Sequence, residues 1–405
     1  MDSLTQIVLG AAVGEVVLGK KVGNKAMVWG AIAGTIPDLD IFANFVTDNI
    51  SATAFHRGIT HSIPFAIIAP FVLGWILHQI YSDRPRNDKK WWRDFGLTYI
   101  FFVVLTSIGA LVLPIPFSDV LPIALVVSAS ILFFLLGSFG FRALMKRPAL
   151  ENNPNWYAWG MLFFWSIFTH PLLDACTAYG TQLFQPFSDF RVNLNNIAVA
   201  DPIYTLPFLI CLIIASILTR NSRRRAIFNW LGIGLSSAYL MFTAYNKIKV
   251  DRIFESSLKE QKIDYKRFTN SPTIFNNILW QGMAETDTCY YQGRYSLLDA
   301  QPKIKKFHYL PKNHELIAPY EDQREIRILK WFSDDYYNVT KRADGVYQFN
   351  NLKYGTISEN PEVNPQYIFS FLFKEEDGKL VELPQEFVRD SAAFDYLIER
   401  LKGVD

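Results

Sequence analysis

Three short polar motifs break the apolar N-terminal half of the chain: Pro37-Asp38-Leu39-Asp40, His56-Arg57-Gly58-Ile59-Thr60-His61 and His170-Pro171-Leu172-Leu173-Asp174. Four residues apart, His170 and Asp174 share one face of a helix, one turn apart. A neutral imidazole and a carboxylate so placed can share a divalent ion, or the carboxylate can orient the imidazole of a neighbouring ligand; a helix-end hydrogen bond is the plain alternative. Asp38 and Asp40 follow Pro37, which ends or kinks the apolar segment before it. One of them can cap a new helix, most simply Asp40 with the helix beginning near Ile41. Two carboxylates this close at a lipid boundary repel each other until a cation or basic group neutralises them. His56 and His61 stand five residues apart, which misses a common helical face, so a loop or helix entry must bring them together. Thr60 or Ser62 can cap the following span, and Arg57 suits a headgroup phosphate, an Asp or an anionic substrate.

Asp38, Asp40, His56, His61, His170 and Asp174 make an oxygen and nitrogen ligand set large enough for one or two divalent ions with positions open to water. Zinc is the simplest choice and manganese the alternative. Such an ion lowers the pKa of a bound water and polarises a phosphoryl or carbonyl oxygen, so the reaction class is hydrolysis. Arg57, with Arg191 as a second candidate, would stabilise anionic charge, and Asp40, if not itself a ligand, would take the proton. Glu15 lies inside an apolar helix, a position that marks function by default, although Lys20 and Lys21 are near enough in sequence to pair with it. Asp2, Gln6, Thr177 and Asp201 are weaker candidates for a supporting layer. Asp201 precedes Pro202 and reads first as a helix N-cap.

The elements that must position these residues are membrane helices. Half of the 405 residues are hydrophobic, and nearly all the long apolar runs fall before residue 250. Spans are expected at Ser62 to Tyr81, Leu97 to Ile115, Leu121 to Phe141, Trp156 to His170 with its continuation, Ile203 to Leu218 and Ala226 to Tyr245. The shorter Leu4 to Leu18 and Ala26 to Ile36 bring the total to about eight helices. Lysine and arginine cluster in alternate connections: Lys20, Lys21 and Lys25, then Arg84 to Arg93, Arg142 to Arg147, and Arg220 to Arg225. By the positive-inside rule those connections are cytoplasmic, which puts all three polar motifs and the C-terminal tail on the outer side.

The fold class is therefore mainly α: a polytopic helical membrane domain over residues 1–249, followed by a small soluble, extracytoplasmic α+β domain over 250–405. In the tail, EIRILKWF and YIFSFLF read as strands, ADGVY and EEDGKL as turns, and DSAAFDYLIERLKGV as a closing helix. His308 and His314 read as exposed loop residues. A net charge of +2, with the basic residues confined to short loops, argues against a nucleic-acid partner. Cys176, Cys211 and Cys289 are too scattered for a disulfide framework or a thiolate zinc site. MDSLTQIVLG has neither a basic n-region nor a small-residue cleavage site, so no removable signal peptide is expected.

The stretches MDSLTQIVLGAAVGE, GTIPDLD, HRGITHS and HPLLDACTAYGTQLFQPFS, in that order over roughly residues 1–218, resemble the bacterial inner-membrane family of the YbcI/YdjM type, described as metal-dependent hydrolases. The resemblance implies a membrane-embedded metal site with Asp38, Asp40, His56, His61, His170 and Asp174 at the motif positions. Gln6 stands where many members carry a histidine, which counts against a ligand role there. More distantly, the order of Asp, His and a His-x-x-x-Asp helix is similar to the trimetal zinc phospholipase C and single-strand nuclease group, an analogy only. The expected function is hydrolysis of a phosphoester or related ester of a lipid or envelope component at the outer face of the cytoplasmic membrane. The rival is a non-catalytic membrane protein with a structural metal and a tail that binds a protein partner. A transporter would need ionisable groups deep in several spans, and the sequence offers little beyond Glu15.

Overall fold

The computed structural model describes residues 1–45, 47–81, 153–363, 365–384 and 391–403. The expected spans Leu97 to Ile115 and Leu121 to Phe141, with the basic connections Arg84 to Arg93 and Arg142 to Arg147, lie outside the described residues. The chain forms two units: Met1–Ala175, Gly180–Asn193 and Ile203–Ser237 make the first, and Cys176–Tyr179, Leu194–Pro202 and Ala238–Asp405 the second.

The first unit is helical. Helices α1 (Ser3–Val22) and α2 (Asn24–Thr35) are joined through Gly23 alone, at φ 61°, a left-handed turn that glycine adopts without a Cβ clash. Their backbones touch: a Cβ on Gly10 would run into the Gly30 carbonyl, one on Gly14 into the Ala26 carbonyl, and one on Gly34 into the Gln6 carbonyl. Small residues four apart let apolar helices gain packing contact where lipid gives no hydrophobic driving force. At Pro37 the α-helix gives way to a 3-10 helix (Pro37–Phe45) bent by 48° from α2. This corrects the expected cap: Asp38 and Asp40 both lie in the first turn of that helix, and neither caps a helix starting at Ile41.

Helix α3 (Asn49–Phe55) is capped by Asp48, a 3-10 turn spans Ile59–His61, and α4 (Ile63–Tyr81) follows, with the Ser62 hydroxyl accepting from the Phe65 N–H. Helix α5 (Trp156–Asp174), capped by Asn155, crosses α4 so closely that a Cβ on Gly74 would meet the Gly160 backbone. Leu73, Leu77, Trp159, Phe163, Trp29 and Ala33 form the core between α2, α4 and α5. Helices α6 (Pro202–Ile217) and α7 (Arg223–Glu260) complete the described elements of this half.

Among the described residues three helices, α1, α4 and α7, are long and apolar enough to cross a membrane, or four if α2 and the bent 3-10 helix count as one span. The expectation of about eight is therefore too high for what is seen. Helix α6 has 16 residues, about 24 Å at 1.5 Å per residue, short of a ~30 Å hydrocarbon layer. Helix α5 spends part of its length on buried Ser166, His170, Pro171 and Asp174. Helix α7 continues past Tyr245 for 15 more residues, because the amphipathic Lys247 to Glu260 stretch packs Val250, Phe254 and Leu258 into the core of the second unit.

The second unit is β-rich, with two four-stranded antiparallel sheets where one was expected. Strands β1 (Arg267–Pro272), β2 (Leu279–Glu285), β3 (Cys289–Ser296) and β4 (Phe307–Pro311) form the first in chain order, and β5 (Tyr337–Lys341), β6 (Tyr347–Thr356), β7 (Tyr367–Glu376) and β8 (Lys379–Leu383) the second. YIFSFLF is β7, and its hairpin to β8 turns at Asp377 and Gly378, both at positive φ, the Asp-Gly chemistry of a tight hairpin. EIRILKWF is helix α8 (Arg324–Phe332), not a strand: Ile326, Leu329 and Phe332, three apart, are the buried residues. The same segment also alternates apolar and polar, so period alone did not decide it. The closing helix α9 spans Ser391–Leu401.

Candidate metal centre

Four atoms converge in the helical unit: Nε2 of His61, Nε2 of His170, Oδ1 of Asp38 and Oδ2 of Asp174. The two Nε2 atoms are 3.1 Å apart; Asp38 Oδ1 lies 3.4 Å from each, and Asp174 Oδ2 lies 3.3 Å from each. All four ligand atoms fall within 4.8 Å of one another. With zinc–ligand bonds near ~2.0 Å, the edges of a tetrahedral site are about 3.3 Å. Five of the six separations match that edge, and the sixth, between the two carboxylate oxygens, lies within 4.8 Å.

Each imidazole is fixed from behind. His170 Nδ1 donates to the Gly34 carbonyl at 2.6 Å, which leaves the Nε2 lone pair of the neutral ring aimed into the cluster. His61 Nδ1 faces Asp40 Oδ2 at 3.3 Å and the Thr60 hydroxyl at 3.2 Å, which aims its Nε2 the same way. With both rings neutral and protonated at Nδ1, two Nε2 lone pairs at 3.1 Å and two carboxylate oxygens would repel one another, and a divalent cation among them would relieve that repulsion. These residues could hold a metal ion. His61, His170 and Asp174 are fully buried, while the Asp38 side chain is 17% exposed.

Asp40 stands behind the cluster. Its Oδ1 meets His56 Nδ1 at 2.8 Å, and its Oδ2 accepts from the Arg57 backbone N–H at 2.8 Å and from the Thr60 hydroxyl at 3.3 Å. With an ion held by His61, Asp40 would be the carboxylate of a carboxylate–histidine–metal arrangement. His56 is held by Asp40 at 29% side-chain exposure and is not one of the four. Arg57 adopts φ 59°, its Nε lies 3.3 Å from Asp174 Oδ2, and its terminal nitrogen donates to the Gly180 carbonyl at 3.4 Å. The other Asp174 oxygen accepts from Gln6 Nε2 at 3.0 Å and pairs with the Met1 amine.

The remaining candidates are spread out. Asp2 caps α1 through the Thr5 N–H. Glu15 pairs not with Lys20 or Lys21 but with buried Arg225, whose Nε and one terminal nitrogen reach both carboxylate oxygens. The lysines sit in the last turn of α1, whereas the α7 guanidinium can enter the helix packing. Arg191 is buried beside the Thr181–Val192 bridge. Thr177 and Asp201 belong to the second unit, Thr177 bridging to Ile197 and Asp201 accepting from the Tyr239 hydroxyl at 2.9 Å. His78 faces the Pro154 carbonyl at 2.8 Å. His314 is no exposed loop residue: its ring stacks on Tyr337 at 4.0 Å. Sequence reasoning missed the Gly34 carbonyl and the inward role of the Thr60 hydroxyl. The Gly10/Gly14 and Gly30/Gly34 spacing was the available signal for the first.

A helical membrane unit with a buried His2Asp2 cluster assembled from the entrance to α4, the end of α5 and the bend after α2 defines a membrane protein with a candidate metal site. The model of the YdjM inner membrane protein family matches residues 1–118 and 126–250, and the chain belongs to that family. Comparisons with curated proteins and with solved structures give no match.

Proposed function

We propose that the chain is a membrane-embedded metal-dependent hydrolase acting on a phosphoester or related ester of a lipid or envelope component, at the outer face of the cytoplasmic membrane. The observation that carries the reading is the convergence of His61, His170, Asp38 and Asp174 on one point, with the Arg57 guanidinium against Asp174 and one partly exposed edge at Asp38. A divalent ion there, zinc by its imidazole and carboxylate ligands, would supply Lewis acidity and an activated water. The chain's own residues do the rest. Asp40 keeps His61 in one orientation and is committed to four contacts, so the role of proton acceptor passes from Asp40 to His56, the more exposed partner of that carboxylate. Arg57 balances charge at the buried end of the site.

A lipid-like substrate is favoured by what surrounds Asp38: the 3-10 helix that carries it also exposes Ile41, Phe42 and Phe45. An outer-face site is favoured by charge. Lys20, Lys21 and Arg220 gather at the far end of α1, where Arg220 donates to the Lys21 carbonyl, and Gln6 at the cluster lies about 21 Å along the helix from Lys20.

The second reading is a structural metal, favoured by the presence of four protein ligands, the mark of a closed site. Metal analysis of detergent-purified protein, with assays on phosphoester lipids, separates the two. The hydrolase reading expects near-stoichiometric zinc or manganese in the wild type, loss of metal in His170→Ala and Asp38→Ala, and loss of turnover with metal retained in His56→Gln. Bound metal with no turnover on any ester would leave the structural reading, and no metal after reloading would remove both.

A further inference from the structure

The second unit carries an exposed apolar tip that nothing in the metal reading uses. The turn between β1 and β2, residues 273–278, presents Ile274 and Phe275, both more than half exposed. Phe275 adopts φ 66°, a backbone conformation normally left to glycine or asparagine. A bulky apolar residue held there and left in water is disfavoured twice over, once by its backbone and once by its surface.

The position of this tip is fixed by a buried amide network. Asn277 accepts from Asn246 of α7 at 2.8 Å and donates to the Asn196 carbonyl at 2.8 Å, while Asn196 donates to Thr243 of α7 at 2.8 Å. The Phe275 N–H itself donates to the Ala200 carbonyl at 3.0 Å. The turn is thus bolted to α7 between Thr243 and Asn246. That is the level at which α7 changes character: Phe242 and Tyr245 are exposed on its outer face, and Lys247, Lys249 and Asp251 come next. In a helix apolar enough to span, such a change marks passage from hydrocarbon to headgroups, with a tyrosine at the boundary.

We infer that the β1–β2 turn is an interfacial anchor, in which Ile274 and Phe275 enter the boundary between headgroups and acyl chains beside the point where α7 leaves the bilayer. The occupant is lipid, because the turn is hydrogen-bonded to α7 at the level of Thr243 and Asn246, where exposed Phe242 and Tyr245 end the apolar stretch of a helix long enough to span. A half-exposed Phe on a pinned turn is what a shallow, non-spanning contact needs. The anchor ties the β-rich unit to the membrane surface through a second point besides the helix. This inference is independent of the metal site.

Photo-crosslinking in the full chain tests it. The protein is made with p-benzoylphenylalanine in place of Phe275, and separately of Ile274, and reconstituted in phosphatidylethanolamine/phosphatidylglycerol vesicles. Met241, exposed on α7, is the positive control, and Val381, exposed on β8, the water-facing one. The anchor predicts lipid adducts, read as a mass shift, at 275 or 274 and at 241, and none at 381. Adducts at 241 with none at 275 or 274 would overturn it. A dimer-sized product from 275 would overturn it as well, by making a second copy of the chain the occupant.

Discussion

At the scale of residues, the division of labour between Asp38 and Asp40 is the sharpest point the structure adds. Two positions apart on a 3-10 helix, one carboxylate faces the two Nε2 atoms and the other grips His61 from behind. Asp40→Asn keeps the shape but weakens the hold on the imidazole, so metal affinity should fall about 10- to 100-fold, the usual effect of losing such a partner, measured by chelator competition. His56→Gln should leave that affinity unchanged. All four residues of the candidate site were legible as residue types, because histidines and paired aspartates at a lipid boundary have few other uses. Their partition into ligands and supports was not, since it depends on which ring nitrogen meets Asp40 and which meets the Gly34 carbonyl, a three-dimensional fact.

At the scale of elements, the glycine seam between α1 and α2 positions the site as much as the ligands do. Gly34 touches the Gln6 carbonyl through bare backbone and offers its own carbonyl to His170. Gly34→Leu must push α1 and α2 apart; overpacking of this kind costs about 1–3 kcal/mol, and the movement should also lower metal stoichiometry, which a melt and a metal analysis would read together. In the β-rich unit, burial pushes His314 below its ordinary value near 6.5, with its ring stacked on Tyr337 and its Nε2 toward the Tyr337 carbonyl. The folded state therefore binds this proton less readily than the unfolded chain, so the stability is present above about pH 6.5 and is lost as pH falls from there toward the lower folded value. Melting of the full chain should shift down between about pH 7.5 and 5.5, and His314→Gln should shrink that shift. Helix α8 shows where pattern reading fails: EIRILKWF satisfies both periods, and burial of Ile326, Leu329 and Phe332 on one side decided for the helix.

At the scale of the whole molecule, the membrane unit depends on the contact between Glu15 and Arg225, a buried bidentate pair in which Arg225 also donates to Asn24 at 2.6 Å. Removing one partner strands the other charge, so Glu15→Gln or Arg225→Met alone should cost about 3–5 kcal/mol, whereas the double substitution should recover much of it, seen as melting in detergent. The pair also sets an order of events during biosynthesis. Glu15 and Arg225 are 210 residues apart, so α1 leaves the ribosome long before its counter-charge exists. At about 5–20 residues per second the wait is roughly 10–40 s. Over that interval α1 carries a carboxylate whose guanidinium partner has not yet been made, and the buried pair can form only once the chain extends past residue 225.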